Sequence, residues 1–131
     1  MRSTLSLALA TALLLAGCGG GVSLGFSGGF DDDFDPPSVS IASNVSTVQA
    51  GQPVQLIAAA SDQWSGIESV AFYRLDSTNN AVLLGTDGSE PYEWTATAPT
   101  DGRTTMVVFA RARDNAGNRA DSALVTITVT P

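Results

Sequence analysis

The 131-residue chain carries 13 acidic residues against six arginines, with no lysine and no histidine, for a net charge of −7. Nucleic acid and anionic lipid head groups both need Lys/Arg-rich patches, so a chain of this balance is predicted to avoid them. The missing histidine also removes the commonest general base and a common transition-metal ligand.

The first residues have the three parts of a secretory signal: Arg2, an apolar run from Leu5 to Leu15, then the small residues Ala16 and Gly17. Eleven apolar residues fall well short of the roughly 20 that a membrane-spanning helix needs, which predicts a cleaved signal over 1–17. Leu15-Ala16-Gly17-Cys18 resembles the lipobox of bacterial lipoproteins. That resemblance implies palmitate-type acylation of Cys18 and cleavage just before it, giving a covalent lipid anchor in the bilayer. The alternative is cleavage near Ala16, which leaves Cys18 as a free thiol and an oxidation hazard in an exported protein. Gly19, not Asp, follows the cysteine, which by the family's sorting habit favours the outer membrane in a two-membrane bacterium. Loss of residues 1–17 leaves five arginines against 13 acids, a charge of −8. With Cys18 acylated, zinc sites, Ser-His-Asp triads and Cys-His pairs are all excluded from a monomer.

Residues 18–37 read as a lipidated Gly/Asp-rich tether ending in Pro36-Pro37. A flexible chain of this length spans about 25 Å root-mean-square and at most about 60 Å. Phe26, Phe30 and Phe34 recur at helical spacing, but Gly25, Gly28 and Gly29 argue against a helix, each costing about 1 kcal/mol there. Disorder is expected, with docking of these rings on the domain or in lipid as the alternative. Asp31, Asp32, Asp33 and Asp35 read as a solvated charge run.

From Ser38 to Pro131 short Val/Ile/Thr-rich runs alternate with turn signals, the texture of one all-β sandwich domain. Strands are expected over 38–42, 53–61, 67–75, 81–87, 92–98, 104–113 and 123–130, about seven in all. Alternation puts Val54, Leu56, Ala58 and Ala60, then Val70 and Phe72, then Val108, Ala110 and Ala112 on inward faces. Phe72, Tyr92 and Trp94 are the expected bulky core residues. Ala58-x-Ala60-x-Asp62 recurs as Ala110-x-Ala112-x-Asp114, with Gly66 and Gly117 shortly after each. The two runs are expected to face each other across the core.

PPSVSI, AAASD, GIESVAFYR, LLGTD, PYEWTA and ARARDNAGN, in this order over 36–130, resemble the bacterial Ig-like domains of exported proteins. The resemblance implies an immunoglobulin-like β-sandwich that serves as a spacer, adhesion or carbohydrate-associated module. Immunoglobulin domains often bridge the facing strands with a disulfide; here alanines stand in its place.

A sandwich opening on such a first strand puts its N-terminus beside the loops after Asp62 and Asp114. Asp35, Asp62, Asp114, Asn115 and Asn118 are then predicted to gather at one pole, with Asp31 to Asp33 close by. Oxygen-rich carboxylate and amide clusters suit Ca²⁺, which takes six to eight such ligands. The competing and favoured reading makes Asp62 and Asp114 acceptors in tight Asx-turns. Trp64, in the same loop, is a candidate contact for a sugar or protein, or else folds over its own domain. An enzyme would have only Glu68, Glu90 and Glu93 for a carboxylate pair, and a lone sandwich without long loops has little room for a cleft. The expectation is a non-enzymatic, membrane-anchored module with no cofactor, contacting an envelope or extracellular protein or glycan. A carbohydrate- or calcium-dependent adhesin is the alternative.

Overall fold

The structure is a computed structural model that describes residues 32–131. Cys18, the signal segment, Phe26, Phe30 and Asp31 lie outside the described residues. Alternating β-branched and polar residues, cut by Gly, Pro, Asn and Asp, give nine strand segments and no helix among the described residues. They are β1 (Ser38–Ser43), β2 (Thr47–Gln49), β3 (Pro53–Ser61), β4 (Ile67–Leu75), β5 (Ala81–Asp87), β6 (Tyr92–Thr97), β7 (Thr105–Asp114), β8 (Arg119–Asp121) and β9 (Val125–Thr130).

One sheet has the order β1-β3-β6; the other runs β2-β9-β7-β4-β5, with β8 also paired to β7. The period-2 pattern works out as predicted: Val54, Leu56 and Ala58 on β3 meet Val70, Phe72, Val108, Ala110 and Ala112 from the other sheet in one buried core. Ala60 is only partly buried and packs at its margin. Tyr92, Ala96, Met106 and Ile127 complete the core.

Two segments were not predicted. β2 pairs in parallel with β9, Val48 opposite Val129, so the first part of the domain changes sheets between Ser43 and Thr47. β8 and β9 take successive stretches of the same β7 edge, where one strand over 123–130 was expected. The break is Ser122, which is buried. Its N–H donates to the Ala110 carbonyl at 2.8 Å while its Oγ accepts from the Ala110 N–H at 2.9 Å and donates to the Ala123 carbonyl at 2.9 Å. A hydroxyl thus takes the place of a backbone carbonyl in the ladder, and no buried group of Ala110 is left unpaired.

Trp94 corrects a second expectation. It is half-buried rather than central, and packs against the core from β6 toward the far sheet. Its ring lies over Gly85 of β5, where an added Cβ would come within 2.2 Å of the indole.

Asp33–Pro131 forms one compact unit, and Pro37 just before β1 is buried.

Candidate functional site

Ser38 at the start of β1 pairs with Ser61 at the end of β3, so the incoming chain and the β3–β4 loop share one pole. β4 opens opposite the end of β7, with Ile67 facing Asp114, which brings the β7–β8 loop to the same place.

Each loop is built on one aspartate. Asp62 Oδ2 accepts the backbone N–H groups of Trp64, Ser65 and Gly66 at 3.0, 2.7 and 3.0 Å, and the Ser65 hydroxyl at 3.2 Å. Partial burial pushes the Asp62 carboxyl up, but the donors Ser65, Gly66 and Trp64 outweigh it and hold the pKa below the ordinary value. The hydrogen bonds therefore favour the charged form, and their contribution to stability is lost as pH falls through that lowered pKa. Asp114 Oδ1 accepts from Ala116 and Asn118 N–H at 2.9 and 2.8 Å, and its Oδ2 from Asn118 Nδ2 at 2.9 Å. Gly66 and Gly117 close the turns at φ 78° and 98°, a region L side chains avoid.

The asparagines stitch these loops together. Asn115 donates its N–H to the Gly66 carbonyl at 3.0 Å and its Nδ2 to the Ser65 carbonyl at 2.8 Å. Asn118 Nδ2 also donates to the Asp33 carbonyl at 2.9 Å, and the Ser65 hydroxyl donates to Asp33 Oδ2 at 2.7 Å. The chain is thus strapped to the pole before β1 begins.

One carboxylate oxygen from each of Asp33, Asp62 and Asp114 lies within 4.8 Å of the other two. The aspartates converge as the sequence suggested, with one correction. Asp35 is exposed and outside the trio, because its N–H turns back onto Asp33 Oδ1 at 3.0 Å and its side chain faces solvent. Asp33 takes that place, and nothing in a run of four aspartates singles it out. Three carboxylates of this kind offer the hard oxygen ligands Ca²⁺ prefers. The same oxygens also serve the turns, so the hydrogen bonding is accounted for without an ion.

Trp64 projects from this pole with 66% of its surface exposed, and Phe34, next to Asp33, is 78% exposed. Neither folds over the domain. Of the candidate glutamates, Glu68 pairs with Arg113 Nε at 3.3 Å and Glu93 accepts from Gln55 Nε2 at 2.8 Å, while Glu90 is exposed.

A solved chain from work described as "Structural basis of T cell specificity and activation by the bacterial superantigen toxic shock syndrome toxin-1" is similar in fold. Its TM-score is 0.51 at 13% identity, over 71% of this chain and 100% of that one. At that identity the likeness speaks to the sandwich alone. No curated protein matches in sequence. A family model described as bacterial Ig domain matches residues 37–129, nearly the whole sandwich. The chain belongs to the bacterial Ig domain family.

Proposed function

We propose that this protein is a lipid-anchored Ig module with a structural or binding role at the bacterial cell envelope. Domains of its family are typically non-enzymatic structural or binding modules. The observation that carries the reading is the strap at Asp33, which ties the incoming chain to one pole of the sandwich. Residues 19–32 separate Cys18 from that strap, a reach of at most about 50 Å. The chain toward Cys18 then leaves the domain at the pole bearing Trp64, and the β4–β5 turn lies at the opposite pole. Cys18→Ala is expected to shift the full chain from the membrane fraction to the soluble fraction and to abolish palmitate labelling. A variant that stays with the membranes and keeps its label sinks the anchor.

A second reading, a calcium- or carbohydrate-dependent adhesin, draws on the exposed indole of Trp64 beside the converging carboxylates. It requires the melting midpoint to rise in millimolar Ca²⁺. An unchanged midpoint leaves the aspartates as turn-forming groups, the role their hydrogen bonds already describe.

A further inference from the structure

The five arginines of residues 32–131 are few for this much surface, yet three of them line one shallow concavity on the outer face of the larger sheet. Its floor is Ser69 and Ala71 of β4 and Thr86 of β5; its walls are Tyr73, Arg111, Arg113 and Arg119. The arginines are not equivalent. Arg111 is held, its guanidinium forked onto Asp121 at 2.6 and 2.9 Å and lying 5.2 Å from the Tyr73 ring centre. Among the described residues Arg113 has a single ion pair, the 3.3 Å contact with Glu68, and both partners are nearly half exposed. Arg119 has no ion-pair partner among the described residues.

Arg113 and Arg119 are also direct register partners across β7 and β8. Like charges placed opposite each other destabilise a sheet. A chain with more than twice as many acids as arginines could readily have put a carboxylate there, as it does two pairs further along with Arg111 opposite Asp121. A local rule broken without a structural gain marks a functional position. A carboxylate, sulfate or phosphate seated between the two guanidinium groups turns the repulsion into a two-pronged clamp.

We infer that this concavity binds an acidic glycan, with Arg113 and Arg119 gripping an oxyanion on one sugar and Ser69 and Thr86 within the same concavity for its hydroxyls. The volume, about 270 Å³, is small for a whole enclosed ligand and suits one charged unit of a longer chain passing over an open sheet. A protein partner is disfavoured because the aromatic rings here are occupied: Tyr73 and Phe109 stack on each other at 5.1 Å, and Phe109 is buried. Nucleic acid needs many phosphate contacts along a basic track, and this concavity offers only two lightly engaged guanidinium groups, enough for a single oxyanion.

The proposal deepens the binding-module reading but does not depend on the anchor, so the Cys18 test and this one fail separately. The purified full chain is titrated by calorimetry with oligogalacturonate, with dextran sulfate, with neutral dextran and with single-stranded DNA. Binding to one or both acidic glycans is expected, weakening as salt rises, with none to dextran or DNA; which of them binds identifies carboxylate or sulfate as the group held. Arg113→Ala/Arg119→Ala is expected to weaken binding at least tenfold while melting no lower than wild type, because the repulsion is gone. Trp64→Ala is expected to bind as wild type. Absence of binding to both acidic glycans, equal binding to DNA, or unchanged affinity in the double arginine variant overturns the proposal.

Discussion

Gly85→Ala is expected to lower the melting midpoint by about 10 °C or more. The added Cβ would sit 2.2 to 2.4 Å from three atoms of the Trp94 ring, inside any tolerable contact. The ring has no easy retreat, because Trp94 spans the opening between the sheets and packs against the core. Gly85 also lies beside the register shift in the β4–β5 pairing, where Phe72 meets Gly85 but Tyr73 meets Leu83. The bulge already sets the local bend, so the strand has little freedom to move outward. Overpacking of this kind costs about 1–3 kcal/mol, and each kcal/mol moves the midpoint of a domain this size by roughly 4–8 °C. The Trp94→Leu background supplies the control. There the clash partner is missing, and Gly85→Ala should cost close to nothing, since alanine is otherwise the better strand residue by about 0.5–1 kcal/mol. A Gly85→Ala midpoint within 2 °C of wild type, or an equal loss in both backgrounds, would show that the indole does not close this edge.

How far such contacts could be read in the sequence depends on their range. The seven long strands and their inward faces follow from alternation alone, because a one-residue slip would turn Val54, Leu56, Val70 and Phe72 outward together. β2 and β8 escape that logic, being three residues each, too short to display a period. β2 forms because β9 is beside it, and β8 because Ser122 restores the ladder where the strand breaks. The mutual approach of the two aspartate loops was legible from the repeated Ala-x-Ala-x-Asp pattern and its trailing glycines. The choice of Asp33 over Asp35 was not, since it rests on a hydroxyl and an amide contributed by residues 32 and 85 positions away. The arginine concavity was equally hidden. Arg111 and Arg113 read as the outward positions of a strand, and only the cross-strand register reveals that Arg119 faces Arg113.

Asp114→Ala should be the most damaging change at the acidic pole, by about 3 kcal/mol, and it separates two explanations of that pole. Asp114 is wholly inaccessible to solvent, and its carboxylate accepts from two backbone N–H groups and the Asn118 amide. Alanine leaves those donors without their acceptor, at about 1–3 kcal/mol for each that stays buried. The damage should spread, because Asn118 Nδ2 also holds the Asp33 carbonyl, so the strap on the incoming chain loosens with the turn. Asp114→Asn keeps an oxygen for the backbone donors but turns an amide against Asn118 Nδ2, and should fall between alanine and wild type. Asp62→Ala takes the acceptor from four donors against three at Asp114, but in a less buried loop where water replaces it, and should cost less than Asp114→Ala. If hydrogen bonds alone set this order, EDTA leaves the wild-type midpoint where it was. If a bound cation holds the trio together, EDTA lowers the wild-type midpoint toward that of Asp114→Ala, and Asp33→Ala approaches the same value although the Asp33 carboxylate is less buried and accepts two bonds against three.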